Sequence, residues 1–161
     1  MILVAVGSNL NSKIFGSPLQ NCEKAIEFLE GKFQIEKVSN FYETEPMPIS
    51  TQPMYVNAVI SIKTELLPNN ILEDLLSVEN IFKRVRTLKN EARVIDLDLL
   101  CYNELILNTK KLKLPHPRMH LRKFVMQPVC DINPDWVHPL FKTNAKNLIK
   151  NLANQKICNI S

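Results

Sequence analysis

The stretch from Tyr55 to Thr64 constrains the fold most: Val56, Ala58, Ile60 and Ile62 fall on one side of it, and Tyr55, Asn57, Val59 and Ser61 on the other. A period of two marks an extended strand, here one with two distinct faces. The segments around it carry their own periodicities. Ile2 to Val6 is a short apolar run closed by Gly7-Ser8-Asn9, as in a buried strand ending in a turn. Ser17-Pro18-Leu19-Gln20 supplies an N-cap, a proline at the first helical position and a capping-box partner. Leu19, Cys22, Ala25, Ile26 and Leu29 then recur at helical spacing until Gly31. Phe33 to Tyr42 is rich in aromatic and β-branched residues with imperfect alternation, which predicts a bulged strand. It runs into a loop stiffened by Pro46, Pro48 and Pro53. A second helix is predicted from Asn69 or Asn70, with Leu72, Leu75, Leu76, Glu79 and Phe82 on one stripe, and Val94 to Tyr102 reads as a further strand.

This β-α-β-β-α-β order predicts an α+β fold with a ferredoxin-like core, a largely antiparallel sheet with helices on one side. The residues that follow predict a hairpin around Asn103-Glu104, an irregular segment from Leu114 to Arg122, a helical stretch near Lys123 to Ile132 and a final helix around Ala145 to Leu152. With 161 residues the expectation is a single domain, 1–161, without room for a second catalytic domain. Hydrophobic residues at 45% and charged residues at 22% match ordinary globular usage and exclude a disordered or fibrous class. No apolar run approaches the roughly 18 residues that cross a bilayer. The 4 cysteines form no CxxC pair and follow no secretory leader, so reduced thiols in the cytoplasm are expected. The only glycines are Gly7, Gly16 and Gly31, which leaves no P-loop.

In the strand from Val94 to Tyr102, Ile95, Leu97, Leu99 and Cys101 are set opposite Val94, Asp96, Asp98, Leu100 and Tyr102, so both aspartates share a face. Same-face side chains start roughly 6.6 Å apart, which lets two carboxylates converge on a pair of Mg²⁺ ions about 3.5 to 4 Å apart. Such ions take their other ligands from water and substrate phosphates. Mid-strand carboxylates among leucines are costly unless paired or metal-bound, although the strand alone leaves a solvated polar face open. The net charge is 20 − 16 = +4, and Lys83, Arg84, Arg86, Lys89 and Arg93 stand against Glu91 alone just before the aspartates. Guanidinium forks match phosphate oxygens, and a solvated basic turn fits the same pattern. Glu79, on the apolar stripe, either reaches the site or pairs with a local arginine. His116, within Pro115-His116-Pro117-Arg118-Met119-His120, is a candidate phosphate contact or an ordinary loop histidine. His120 and His138 make no comparable case. Among the cysteines and histidines only His116 and His120 sit at zinc-finger spacing, which makes a zinc site unexpected, and no nucleophile triad is present.

Five ordered motifs together resemble one known family: Val6-Gly7-Ser8-Asn9-Leu10, Ser39-Asn40-Phe41-Tyr42-Glu43-Thr44, Gln52-Pro53-Met54-Tyr55-Val56-Asn57-Ala58, the strand Arg93 to Leu100, and Pro115 to His120. The chain is similar to the 6-hydroxymethyl-7,8-dihydropterin pyrophosphokinases of folate biosynthesis, which move pyrophosphate from ATP to a pterin alcohol and release AMP. The resemblance implies that Asp96 and Asp98 hold two Mg²⁺ ions and that Arg84 and Arg93 steady the transferring group. Glu79, Leu99, Lys111, Leu112, Lys113 and His116 would surround ATP. The pterin would stack between Tyr55 and Phe124, with Asn57 and the backbone around Thr44, Glu45 and Met47 reading its polar edge and Arg122 nearby. A cytoplasmic, monomeric enzyme with small-molecule partners, and neither nucleic acid nor membrane, is the accompanying expectation. The pattern departs where Arg86 is followed by Thr87-Leu88-Lys89-Asn90-Glu91-Ala92-Arg93: the family's tryptophan and glycine-proline pair are missing and the loop is one residue shorter. Palm-type nucleotidyl transferases and RNA-binding modules share the topology, but Gly-rich or templating features and the aromatic RNP1 pattern are absent.

Overall fold

In a computed structural model, which describes residues 1–82 and 94–161, the alternating stretch forms strand β4 (Tyr55–Lys63). Arg84, Arg86, Arg93 and the shortened loop lie outside the described residues. One edge of β4 pairs antiparallel with β1 (Ile2–Ser8), and β1 pairs antiparallel with β5 (Asp96–Tyr102). The other edge takes β2 (Gln34–Val38) and β3 (Tyr42–Thr44) in succession. A short C-terminal strand, β8 (Ile157–Asn159), extends the sheet beyond β3.

Helices α1 (Pro18–Glu30) and α2 (Pro68–Ile81) cover one face. Val4, Val6, Val56, Ile60, Ile62, Leu97 and Leu99 pack there against Cys22, Ala25, Leu29, Ile71, Leu75 and Val78. Ser17 caps α1 as the sequence predicts: its side chain accepts from the Gln20 N–H at 3.3 Å, and Gln20 Oε1 accepts from the Ser17 N–H at 2.9 Å. Gly16 needs its missing side chain, with φ +105 and an added Cβ 2.1 Å from Gln20 Oε1. The opposite face is covered by α3 (Lys123–Ile132) and α4 (Ala145–Leu148), where Leu3, Val59, Leu100 and Cys101 meet Val125, Met126, Val129 and Ile132. Both core helices therefore share a side, and the C-terminal helices supply the cover for the other. That double burial is why β1 and β4 carry apolar residues at both alternations.

Several boundaries differ from the sequence reading for identifiable reasons. The strand expected over Phe33 to Tyr42 divides into β2 and β3, with a register shift between Ile35 and Lys37. Between them Ser39 keeps contact with β4, its N–H donating to the Val59 carbonyl and its Oγ accepting from the Val59 N–H, both at 2.9 Å. Helix α2 starts at Pro68, and its buried stripe runs through Ile71, Leu75, Val78 and Glu79, leaving Leu72 and Leu76 half-buried. In β5 a bulge passes over Leu100, because Leu3 faces Cys101 whereas Val4 faces Leu99. Cys101 consequently joins the α3 side and Tyr102 the α1/α2 side, the reverse of simple alternation. Asn103, at φ 50, does sit in a turn, but the hairpin is formed further on by β6 (Leu107–Asn108) and β7 (Lys113–Leu114). The last helix is short and continues as a 3₁₀ turn (Ile149–Leu152).

All four thiols are free, and burial pushes Cys101 up to about 12 and Cys22 higher still. No helix among the described residues is long and apolar enough to cross a membrane. His138 is 1% exposed, its ring centroid 5.7 Å from that of Trp136, 4.6 Å from Phe141 and 5.8 Å from His120. Its Nδ1 accepts from the Leu140 N–H at 3.2 Å. Burial first, and then His120, push its pKa down from 6.5 to about 4. The folded state thus refuses a proton that the unfolded chain accepts below about pH 6.5, so this contribution to stability is complete above 6.5 and is lost as the pH falls toward 4. Urea unfolding at a series of pH values is expected to show that decline. In His138→Gln the slope of stability against pH should flatten by up to about 1.4 kcal/mol per unit in this window. An unchanged slope would exclude His138 as its source.

Candidate active site

The register of three strands builds the site. On β4 Asn57 faces Gly7 of β1, and on the other side of β1 Gly7 faces Asp96 of β5, with Ala5 facing Asp98. Strand spacing places Asn57 and Asp96 roughly 10 Å apart with Gly7 between them. A Cβ on Gly7 would lie 3.1 Å from Asn57 Oδ1, so the glycine keeps the floor of the cleft open. Leu97 and Leu99 point into the α1/α2 core while Asp96 and Asp98, half-buried, face the cleft. The cleft is a cavity of ≈ 150 Å³ lined by Gly7, Thr44, Glu45, Pro46, Met47, Pro48, Ser50, Gln52, Tyr55, Asn57, Asp96, Asp98, Arg118, Arg122 and Phe124.

Hydrogen bonds fix its walls. Asn57 Nδ2 donates to Thr44 Oγ1 at 2.9 Å, which orients the amide. Tyr55 donates to Gln52 Oε1 at 3.3 Å. Asn9, 1% exposed, donates to Gln52 Oε1 at 3.3 Å and to the Pro53 carbonyl at 3.2 Å, tying the proline loop to the end of β1. Behind it the buried Asn21 Nδ2 donates to Ser8 Oγ at 3.3 Å and to the Leu10 carbonyl at 2.9 Å. The Arg122 guanidinium lies 5.5 Å from the centroid of the Phe124 ring, within cation–π range.

His116 lines a smaller adjoining cavity together with Asp96, Asp98, Arg122 and Phe124. Its backbone N–H donates to the Leu100 carbonyl at 2.7 Å, and its Nδ1 accepts from the Arg118 N–H at 3.2 Å, which leaves the proton of the neutral ring on Nε2. Burial, then the Arg122 and Arg118 charges, push its pKa down to about 4 against the opposing pull of Asp96. At neutral pH His116 is an uncharged donor.

Residues 3–134 match the family model for 7,8-dihydro-6-hydroxymethylpterin-pyrophosphokinase (HPPK). The chain belongs to the HPPK family. It is 37% identical over 158 residues to the 2-amino-4-hydroxy-6-hydroxymethyldihydropteridine pyrophosphokinase of Haemophilus influenzae, covering 98% of this chain and 96% of that one. It is 35% identical over 154 residues to the folic acid synthesis protein FOL1 of Dictyostelium discoideum, covering 96% of this chain but only 23% of that longer protein. A Plasmodium falciparum HPPK-DHPS crystal structure shares the fold with a TM-score of 0.74 at 13% identity, covering 94% of this chain and 43% of that one. Family membership makes the chain a pyrophosphokinase of folate biosynthesis, with ATP as co-substrate and a pterin as acceptor.

Against that activity, the residues expected around the pterin, namely Thr44, Glu45, Met47, Tyr55, Asn57, Arg122 and Phe124, share one cavity with Asp96 and Asp98. The residues expected around ATP are more dispersed. His116 borders the carboxylates. Lys111 and Lys113 are exposed, Lys111 with Nζ 3.3 Å from Glu73, and the Leu99 and Leu112 side chains are buried in the α1/α2 core. The Leu112 N–H and carbonyl are both bonded to Thr109. Glu79, 2% exposed, accepts from the Leu97 N–H at 2.9 Å through Oε1 and so holds the strand between the two aspartates. Among the described residues no three His, Cys, Asp or Glu side chains form a metal cluster. Two carboxylates fit Mg²⁺, which commonly takes one or two from protein and the rest from water and phosphate. Arg118, Asn9 and Asn21 went unassigned in the sequence reading; Arg118 was within reach as a neighbour of His116, whereas the asparagines' partners are distant in sequence.

Removing the Glu79 acceptor leaves a buried N–H unpaired, at a cost of about 1–3 kcal/mol. Glu79→Ala should therefore lower the unfolding free energy by that amount, seen as a lower urea midpoint at an unchanged m-value, and a wild-type midpoint would deny Glu79 this role.

Proposed function

We propose that this cleft is where pyrophosphate passes from ATP to 6-hydroxymethyl-7,8-dihydropterin, with Asp96 and Asp98 as the ligands of two Mg²⁺ ions. The observation that carries the reading is the register that places Asn57 and the aspartate pair on opposite sides of Gly7 in one cavity. One half of the cleft suits a flat heteroaromatic ring: Tyr55 and Phe124 offer aromatic faces, and Asn57, held by Thr44, presents a fixed amide edge beside the backbone of Glu45 and Met47. The other half suits phosphates. Mg²⁺ bound there would neutralise the phosphate charge.

Arg122 and Arg118 line the same cavity, and His116 offers its Nε2–H beside the carboxylates. Lys111 and Lys113 are exposed cations for the nucleotide, and Glu79, Leu99 and Leu112 form the support behind it. Arg84 and Arg93 are assigned to the transferring group on the family resemblance. The pterin hydroxymethyl oxygen bonds to the β-phosphorus as the bond from that phosphorus to the oxygen bridging to the α-phosphorus breaks, and AMP departs with the bridging oxygen. The hydroxyl proton goes to solvent. His116 is not its acceptor, since Nδ1 is engaged by the Arg118 N–H and the ring pKa of about 4 makes it a weak base. Positioning and charge complementarity supply the catalysis. A single domain acting as a cytoplasmic monomer completes the proposal.

Incubation with Mg²⁺, ATP and the pterin should yield AMP and pterin pyrophosphate; ADP, or no pterin-dependent turnover, would overturn the reading. Asp96→Ala and Asp98→Ala should each lower kcat by roughly a hundredfold or more while changing pterin affinity far less. Near-wild-type turnover in either variant would reject the metal assignment.

A further inference from the structure

We propose that Gln155 is a positioning residue for the pterin, acting through the backbone that carries Arg122 and Phe124. This rests on the assignment of the pterin ring to the cavity between Tyr55 and Phe124. Helix α3 has Arg122 at its N-cap with no side-chain cap of its own, so the first N–H of the helix lacks a local acceptor. Gln155 supplies one from another part of the chain: its Oε1 accepts from the Lys123 N–H at 2.8 Å, while its Nε2 donates to the Leu121 carbonyl at 2.8 Å. One amide thus grips the backbone immediately before and immediately after Arg122, and fixes the direction in which Phe124 leaves the helix start.

The surroundings make this grip matter. Behind Phe124 lies a second cavity, ≈ 420 Å³, bordered by Pro46, Met47, Gln155 and Ile157, so on that side the ring is not backed by close-packed side chains. Its position depends correspondingly more on the backbone that Gln155 holds. Two residues further on, Ile157 of β8 pairs with Thr44 of β3, and Thr44 accepts from Asn57. Within three residues the C-terminal segment therefore holds both walls of the acceptor half of the cleft. That segment lies outside residues 3–134, the span matched by the family model.

The test is steady-state kinetics with each substrate varied, on variants checked by thermal unfolding. Gln155→Ala should raise KM for the pterin roughly three- to tenfold, the effect of losing one or two neutral hydrogen bonds, and leave KM for ATP within about twofold. Gln155→Glu keeps the acceptor for Lys123 but loses the donor to Leu121, and should fall between wild type and Gln155→Ala. A folded Gln155→Ala or Gln155→Glu with wild-type pterin KM, or with both KM values raised equally, would overturn the positioning role. Phe124→Ala separates the two levels of the argument: if it too leaves pterin KM unchanged, the ring assignment itself fails. If Phe124→Ala raises pterin KM and Gln155→Ala does not, only the role of Gln155 is lost.

Discussion

The register of the β4–β1–β5 ladder is the constraint on which the rest of the molecule depends. A slip of one residue between β1 and β5 would exchange faces along the whole strand, sending Asp96 and Asp98 into the α1/α2 core and bringing Leu97 and Leu99 out. That core contains Val4, Val6, Ile60, Ile62, Leu75 and Val78, with no charged partner for a carboxylate among those side chains. The cost of burying an unpaired charge there selects the observed pairing more strongly than any single backbone hydrogen bond. Burial on the α3 side adds a second lock through Leu3, Val59 and Cys101. The same apolar burial that stabilises the sheet therefore fixes where its polar residues emerge, near the ends of β1 and β5 beside the proline loop.

Regular structure ends where the acceptor wall begins, and side-chain hydrogen bonds take over. The proline loop has no ladder of its own over Pro46 to Pro53. Its tether is Asn9, which reaches Gln52 and Pro53, while Asn21 holds the turn after β1 through Ser8 and Leu10. Buried amides are tolerable only when bonded, and once bonded they specify geometry that apolar contacts would leave loose. Glu79 does the equivalent for β5, on the edge of the sheet, by accepting from Leu97.

What was legible in the sequence was local. Ser17 with Gln20 announced the start of α1, the alternation after Tyr55 announced β4, and Asp96 with Asp98 announced a shared polar face, because each pattern is contained in a few consecutive residues. The β8–β3 pairing was invisible, since Ile157 has little strand context and its partner Thr44 lies more than a hundred residues away. The β5 bulge escaped for a related reason: skipping Leu100 is a property of the pairing with Leu3 and Val4, not of the run Leu99-Leu100-Cys101 itself. On α2, Leu72 and Ile71 are equally apolar, and only packing against α1 and the sheet decides that Ile71 is the buried one. The site followed the same rule. Residues joined by motifs came together in the cleft, whereas Asn21 and Gln155, whose partners lie more than ten residues away, carried no local mark.

The charge arrangement explains how one cleft can serve two dissimilar substrates. Asp96 and Asp98 attract cations to the β5 side, yet Arg118 and Arg122 also line the cavity, so neither sign fills it. Those guanidiniums help keep His116 neutral. A neutral ring with Nδ1 occupied donates from Nε2 at any pH well above about 4, which makes it a fixed dipole rather than a titrating charge. On the β4 side Asn57 presents an amide that donates to Thr44 and whose geometry is limited by Gly7 on the adjacent strand. An alanine at position 7 would place its Cβ 3.1 Å from Asn57 Oδ1, so the amide would have to give by a few tenths of an ångström, straining the acceptor half without touching an aspartate. Gly7 is thus the junction at which the two halves of the cleft are mechanically joined, although it brings no side chain of its own.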